Sequence, residues 1–573
     1  MSSKTVSPTP TLHNDMPRAT EAAELDAAAN STKAILATAL PRIASDFNAF
    51  TLQGWVSSAF ILTQTGFILI YGPILRIYSA KYTLLSAVVI FEVGSVICGA
   101  APDVYALIFG RALSGAGAAG IFTSSIQILG QCTRLEDRPK LFGLFGAVFG
   151  LSSVIGPFIG GGLTDSGPKG WRYIFYLNVP IGALTVVGIL FLLKSTPPLG
   201  ADLSKRSPRD LLRQTLRIDW LGSVLILGSV TCLVLALQWG GNTKPWKSAA
   251  VLVPLILAIV VGFALIGWQK YLGERAMVPP QIIKSISVVA ITVYSFTIRF
   301  CMLVYIYYLP IFYQVTREAS ATRSSIDIMA FMVSCVLSVI LAGQIVGRVL
   351  YRFWHFLFFG PMPLAIGAGL LFTVDEHTSN AKIIGYQILV GVGVGTTMQN
   401  SLLAMQAEFK DVPRLLAQGT GLASFAQFLG GTVGLAVAQA VFASVLNDKI
   451  RQFAPTAPIN VIKQDPLSIY TLPADQIQPV IKAYVQSLQY VFVLGVPFSV
   501  LAIILSLFIK NIRINDAHAK PKVDESTTDS EKGEKSVPAE ALAAEEAGGP
   551  PVATLANNTS RSSAESDKAD NRV

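Results

Sequence analysis

Long apolar runs separated by short polar breaks dominate this chain. A helix crossing a membrane needs about 20 apolar residues, because the hydrocarbon layer is about 30 Å thick and each residue rises about 1.5 Å. Thirteen such runs occur, at 55–75, 82–100, 105–129, 141–163, 173–193, 218–239, 249–268, 286–313, 326–349, 353–372, 383–406, 416–446 and 490–509. A shorter run, AILATALPRI at 34–43, comes before them and reaches only about half a span. Glu21, Glu24, Asp26 and Lys33 lie upstream of it and are expensive to bury, so 34–43 counts as a truncated first span. The pattern predicts an all-α polytopic membrane protein.

Lys and Arg gather in the loops after even-numbered spans. Arg76 and Lys81, then Arg134, Arg138 and Lys140, then Lys194, Lys205, Arg206, Arg209, Arg213 and Arg217 belong to this set. Lys270, Arg275 and Lys284, then Arg348 and Arg352, then Lys410 and Arg414 complete it. Basic loops stay in the cytosol, so both termini are expected to be cytoplasmic in a multi-pass cell-membrane protein. The longest outer connection, 447–489, carries an amphipathic stretch at 474–488, expected as an interfacial helix. The tail from 515 to 573 is polar, unable to bury a core, and expected to be disordered.

Composition narrows the picture further. Of 573 residues, 52% are hydrophobic and 14% charged, whereas soluble chains carry about 25% charged residues. The net charge of +9 is scattered over many loops, which argues against a nucleic-acid partner. Five dispersed Cys offer neither metal-ligand spacing nor a disulfide framework. With four His and no phosphate-cradling Gly-Lys-Ser/Thr motif, neither a metal, a cofactor, an enzymatic centre nor direct ATP drive is expected. The first thirty or so residues lack the charged start and apolar core of a signal peptide.

Polar residues inside the apolar runs are the candidate chemistry. Arg111 lies within a span, where an Arg is costly unless it is paired or faces water. Glu92 and Arg111 both fall roughly 10 Å below the outer face, which makes them a candidate pair for proton coupling. Gln64, Gln127, Arg299, Gln399, Asn400 and Gln427 are candidates for a substrate cavity, with helix-to-helix bonding the competing use of the amides. Asp327 and Gln387 are further buried polar groups. Gly146, Gly150, Gly156, Gly160 and Gly161 fall broadly on one side of a helix, suited to close packing, and Pro157 removes a backbone donor.

Three segments together carry a family likeness: LIFGRALSGAGAAGIFTSSIQIL at 107–129, GAVFGLSSVIGPFIGGG at 146–162 and WRYIFYLNVPIG at 171–182. ATALPRI, IFEVGSVICGAAP, YYLPIFYQ and FAQFLGGTVG fit the same branch. The chain resembles the fourteen-span drug:proton antiporters of the major facilitator superfamily, specifically their fungal toxin and multidrug efflux branch. The resemblance implies two six-helix bundles with two inserted central spans. It implies a role for Arg111 in proton coupling and an antiporter motif at Gly146, Gly150, Gly156, Pro157, Gly160 and Gly161. The implied organisation is an N-terminus at 1–33, a first bundle at 34–193, a loop and inserted pair at 194–285, a second bundle at 286–510 and a tail at 511–573.

The implied function is proton-coupled efflux of a hydrophobic small molecule, by a monomer whose partners are substrate, protons and the lipid bilayer. A siderophore or metal-chelate exchanger and a transport-inactive sensor are the alternatives. The chain departs from the family in the loop GPILRIYSAK at 72–81. Arg76 stands there where the family has an Asp that ties helix ends together. Thr32 occupies the place of an acidic residue usual in the first span.

Overall fold

The computed structural model describes residues 43, 46–47, 53–198 except 168, 207–240, 244–319, 321–458, 462 and 466–514. The expected first span therefore lies outside the described residues except for Ile43, which is buried beside Val56, Cys98 and Trp171. Thr32 and the tail also lie outside them.

Each of the thirteen full-length apolar runs falls on helix. The first group is α1 (Gln53–Ile77), α2 (Ala80–Ala100), α3 (Val104–Cys132), α4 (Arg138–Asp165), α5 (Trp171–Tyr176) and α6 (Asn178–Leu192). A short helix, α7 (Pro208–Leu216), leads to the inserted pair α8 (Trp220–Trp239) and α9 (Ala249–Leu272). The second group begins with the single turn α10 (Pro280–Ile283), then α11 (Ile286–Arg317), α12 (Ala321–Asp327) and α13 (Met329–Ile345). It continues with α14 (Trp354–Phe359), α15 (Pro361–Phe372), α16 (Asn380–Glu408), α17 (Leu416–Phe453), α18 (Ala474–Phe492) and α19 (Gly495–Ser506). Helices satisfy their own backbone polar groups, which is why an apolar run in lipid takes this form.

Glycine decides which helices touch most closely, since lipid offers apolar side chains no reason to leave it for one another. A Cβ at Gly94 of α2 would lie 2.5 Å from the backbone nitrogen of Ser114 on α3. A Cβ at Gly117 of α3 would lie 2.5 Å from the nitrogen of Phe91 and 2.8 Å from the carbonyl oxygen of Ala87. In the second bundle Gly434 of α17 sits on Phe300 of α11, and Gly393 of α16 on Leu364 of α15. The outward faces stay apolar, as Val253, Phe263 and Ile266 of exposed α9 illustrate.

The WRYIFYLNVPIG segment is a clamp on α2. The buried Trp171 donates from Nε1 to Asp46 Oδ2 at 2.7 Å. Arg172 donates to the carbonyl of Gly99 at 2.7 Å, capping the end of α2. Asn178 donates to Ser95 Oγ at 3.3 Å.

One expectation is corrected here. The amphipathic stretch at 474–488 is no interfacial helix: it lies in α18, which with α19 forms one candidate span, Ala474–Ser506. Val480, Ile481, Tyr484, Val485 and Leu488 are buried, and α18 packs on α17 and α11. Its apolar side is the bundle face, a periodicity that a helix lying on lipid would share.

Gly117→Val places its Cβ against backbone that cannot move aside. It should destabilise the protein by about 2 kcal/mol or more, read as a lower unfolding temperature in detergent. A wild-type temperature would show that α2 and α3 are less closely packed than described.

Candidate functional site

Arg111 emerges from α3 into the interior of the first bundle and is 2% exposed. Its Nε donates to the carbonyl of Val56 at 3.2 Å, and its guanidinium lies 4.3 Å from the ring centroid of Phe60. Both partners belong to α1. A carbonyl and a ring face are the kinds of group that make a buried guanidinium tolerable.

Glu92 does not join it. Its carboxylate lies against Gly182 of α6, and among the described residues Oε2 has no hydrogen-bond partner. No ion pair links Glu92 to Arg111. Direction around the helix separates them: Arg111 points to α1 and Glu92 to α6.

The expected cavity residues divide into groups. Arg299, 9% exposed, donates from Nη1 to Met398 Sδ at 3.3 Å, and its guanidinium lies 5.3 Å from the Phe428 ring centroid. Gln427 donates to the carbonyl of Met398 at 3.2 Å and to Ser401 Oγ at 3.2 Å, so it links α17 to α16. Arg299, Gln427, Met398 and Phe428 thus share one region of α11, α16 and α17. Asn400 donates to Thr396 of its own helix, and Gln399 is half-buried on α16. Gln64 on α1 and Gln127 on α3 are buried in the other bundle, and Gln127 Oε1 has no hydrogen-bond partner among the described residues. The two sides meet through rings: Phe122 of α3 stands edge-on to Phe428 at 5.2 Å. Gln387 is helix-linking, donating to the Tyr313 hydroxyl at 2.8 Å. Asp327 pairs with Arg323 at 3.5 Å.

Of the glycine motif, Gly146 packs against Val339 of α13 and Gly156 is buried. Gly150, Pro157, Gly160 and Gly161 lie on α4, with side-chain surroundings outside the described residues. The seam between the bundles extends toward the basic loops. A Cβ at Gly143 would lie 3.3 Å from the Cα of Ile340, and Gly343 of α13 abuts the carbonyl of Pro139.

At that basic end two arginines cross between bundles. Arg76 of α1 donates to Gln418 Oε1 of α17 at 3.2 Å. Arg138 of α4 donates to Gln406 Oε1 of α16 at 3.1 Å and to the carbonyl of Gly130 at 2.6 Å. The acceptors Gln406 and Gln418 are 1% and 2% exposed, while Arg138 is half-buried and Arg76 is exposed. The residue that departs from the family pattern, Arg76, thus still joins two helix ends, with its polarity reversed. Sequence reading missed both glutamines, because a single Gln near a helix end is an ordinary feature. It also missed Phe122, Met398 and Phe428, which look like any membrane-helix residue.

Residues 27–435 match the family model of the Major Facilitator Superfamily. The chain is 37% identical over 471 residues to the MFS-type transporter astH of Aspergillus oryzae, covering 82% of each chain. It is 36% identical over 487 residues to the rubrofusarin-specific efflux pump aurT of Gibberella zeae, covering 84% of this chain and 87% of that one. The solved structure of the proton:xylose symporter XylE is similar in fold, with a TM-score of 0.56 at 14% identity over 87% of this chain and 96% of that chain.

Gln406→Leu removes a side-chain acceptor from Arg138. A thiol introduced by Leu416→Cys, at a buried site beside Gly130, should then react about tenfold faster with a polar maleimide, since a hydrogen bond to a charged group is lost. An unchanged rate would mean that the bond does not hold the seam.

Proposed function

The chain belongs to the major facilitator superfamily, and we propose that it is a proton-driven exporter of a hydrophobic secondary metabolite. It is a multi-pass membrane transporter, and the direction of transport and the driving ion are the parts proposed. The observation that carries the direction is the similarity to named efflux pumps over most of the chain's length. The basic loops support cytoplasmic termini, and the family resemblance supports a place in the cell membrane and a monomer.

Transport by this fold requires one end of the central region to open while the other closes. The glycine contacts between α4 and α13 form a close seam between the bundles on the side of the basic loops. The Arg76 and Arg138 bonds hold its basic end shut. Export then consists of loading from the cytosol while this end is parted, and release outward once it has closed.

The region around Arg299 suits a flat, apolar cargo with an acidic or phenolic group. Met302, Met398 and Phe428 give polarisable surface for an aromatic skeleton, and the guanidinium attracts negative charge. Proton coupling divides between two places in this reading. Glu92 is the carboxylate that takes and releases the proton against α6. Arg111 keeps a fixed positive charge on the α1–α3 contact, so that proton binding and helix position affect each other through the bundle.

The test is expression in efflux-deficient yeast with a panel of hydrophobic dyes. Retention should fall, and an uncoupler should abolish the effect. Glu92→Gln should remove the dependence on the pH gradient, with the protein still at the cell surface. Arg111→Gln should lower efflux at least about tenfold, because an intramembrane charge of this kind is functional by default. Full pH-driven export by Glu92→Gln would rule that residue out as the proton carrier.

A further inference from the structure

The inserted pair α8–α9 has no part in the transport scheme above, yet it connects to the gate. At the start of α8, Asp219 is 4% exposed. Its Oδ1 accepts from the backbone nitrogen of Gly222 at 2.7 Å and from Trp268 Nε1 of α9 at 2.7 Å. Its Oδ2 accepts from Gln269 Nε2 at 2.6 Å. With its amide nitrogen held there, Gln269 offers Oε1 to the backbone nitrogen of Val278 at 3.3 Å. The carbonyl of the same peptide group, that of Met277, accepts from Gln418 Nε2 at 3.0 Å. Gln418 Oε1 in turn accepts from Arg76 at 3.2 Å.

The order of donors is the informative feature. Arg76 donates to Gln418, Gln418 to the Met277–Val278 peptide, that peptide to Gln269, and Gln269 to Asp219. Three amide groups lie head to tail, with a guanidinium at one end and a carboxylate at the other. Every donor points toward the negative charge, so each bond polarises the next in the same sense. A second contact, Ser223 Oγ to Met277 Sδ at 3.3 Å, ties α8 to the same peptide. Met277 belongs to one buried apolar cluster with Leu69 and Ile70 of α1 and Ile226 and Val230 of α8.

We infer that the inserted pair sets the basic-end gate through this relay, with Asp219 as its anchor and Gln269 as the positioning residue. Gln269 fixes the 277–278 peptide, the peptide orients Gln418, and Gln418 is thereby presented to Arg76 across the seam. Displacement of the end of α9 withdraws the acceptor from Arg76 and favours the open basic end. The inference rests on the seam being a transport gate, but its test needs no cargo, so its failure is distinct from failure of the export reading.

The full chain, with its five cysteines replaced and Ala417→Cys as reporter, is placed in lipid nanodiscs and treated with a polar maleimide. Ala417 is buried on the gate side of α17, so its modification reads gate opening. Gln269→Leu, which loses the bond to Asp219 and the one from Val278, should speed modification about fivefold, as should Arg76→Ala, which loses the bond to Gln418. The double variant should react no faster than either single, because both cut the same chain. Trp268→Phe removes a bond to Asp219 outside the relay and should leave the rate unchanged. Gln269→Glu keeps an acceptor for Val278 but turns an oxygen toward Asp219. It should also speed modification, and it serves if Gln269→Leu fails to fold. A rate unchanged by breaking at Gln269, multiplicative effects in the double variant, or an equal response to Trp268→Phe would each overturn the relay.

Discussion

A guanidinium carried into hydrocarbon has to be met by dipoles or rings, and that requirement orders the interior of this protein. Arg111 is met by a carbonyl and a ring of α1; at the basic end, half-buried Arg138 meets a carbonyl of α3 and an amide of α16, and exposed Arg76 meets an amide of α17. Among the described residues none of these three has a carboxylate within ion-pair distance. Neutral partners make bonds that break at lower cost than a buried ion pair, since no uncompensated carboxylate is left behind. That suits contacts which must form and part in every cycle. Asp219, at the far end of the relay, acts from a distance through three intervening amides.

Close helix approach is the second condition. Bonds as short as these cross between helices because small residues let backbones meet. Gly110 and Gly94 bring α2 onto α3, and Gly143 and Gly343 bring α4 onto α13. Gly72 brings α1 onto α17 at the point where Arg76 reaches Gln418. The glycines give the seam its shape and the arginines give it a preferred state. The hydrophobic effect gives helices in lipid no reason to associate, so close packing and the polar bonds at the rim together decide which end is shut.

How much of this was legible in the chain follows from what sequence patterns encode. Apolar run length reports depth in the membrane, and every full-length run is helical. Depth also picked out Arg111 as enclosed and unusual. Azimuth is a different quantity: Glu92 turns to Gly182 and Arg111 to Phe60. Amphipathic periodicity at 474–488 identified a helix with one apolar face but not what covers that face, which proved to be protein. Gln406, Gln418 and Gln269 carried no signal, since their meaning comes from partners 268, 342 and 50 positions away. The family resemblance supplied the motif positions, and Arg76, which departs from the motif, bonds Gln418 of α17.

The central claim is that the two bundles must part at the basic end for transport to occur. Gly143→Cys with Ile340→Cys would place two thiols across that seam, where a Cβ on Gly143 already lies 3.3 Å from the Cα of Ile340. Efflux measured before and after oxidation, and again after reduction, tests the claim directly. Loss of efflux on oxidation with recovery on reduction is the expected result. Undiminished efflux from a chain shown to be fully crosslinked would contradict it.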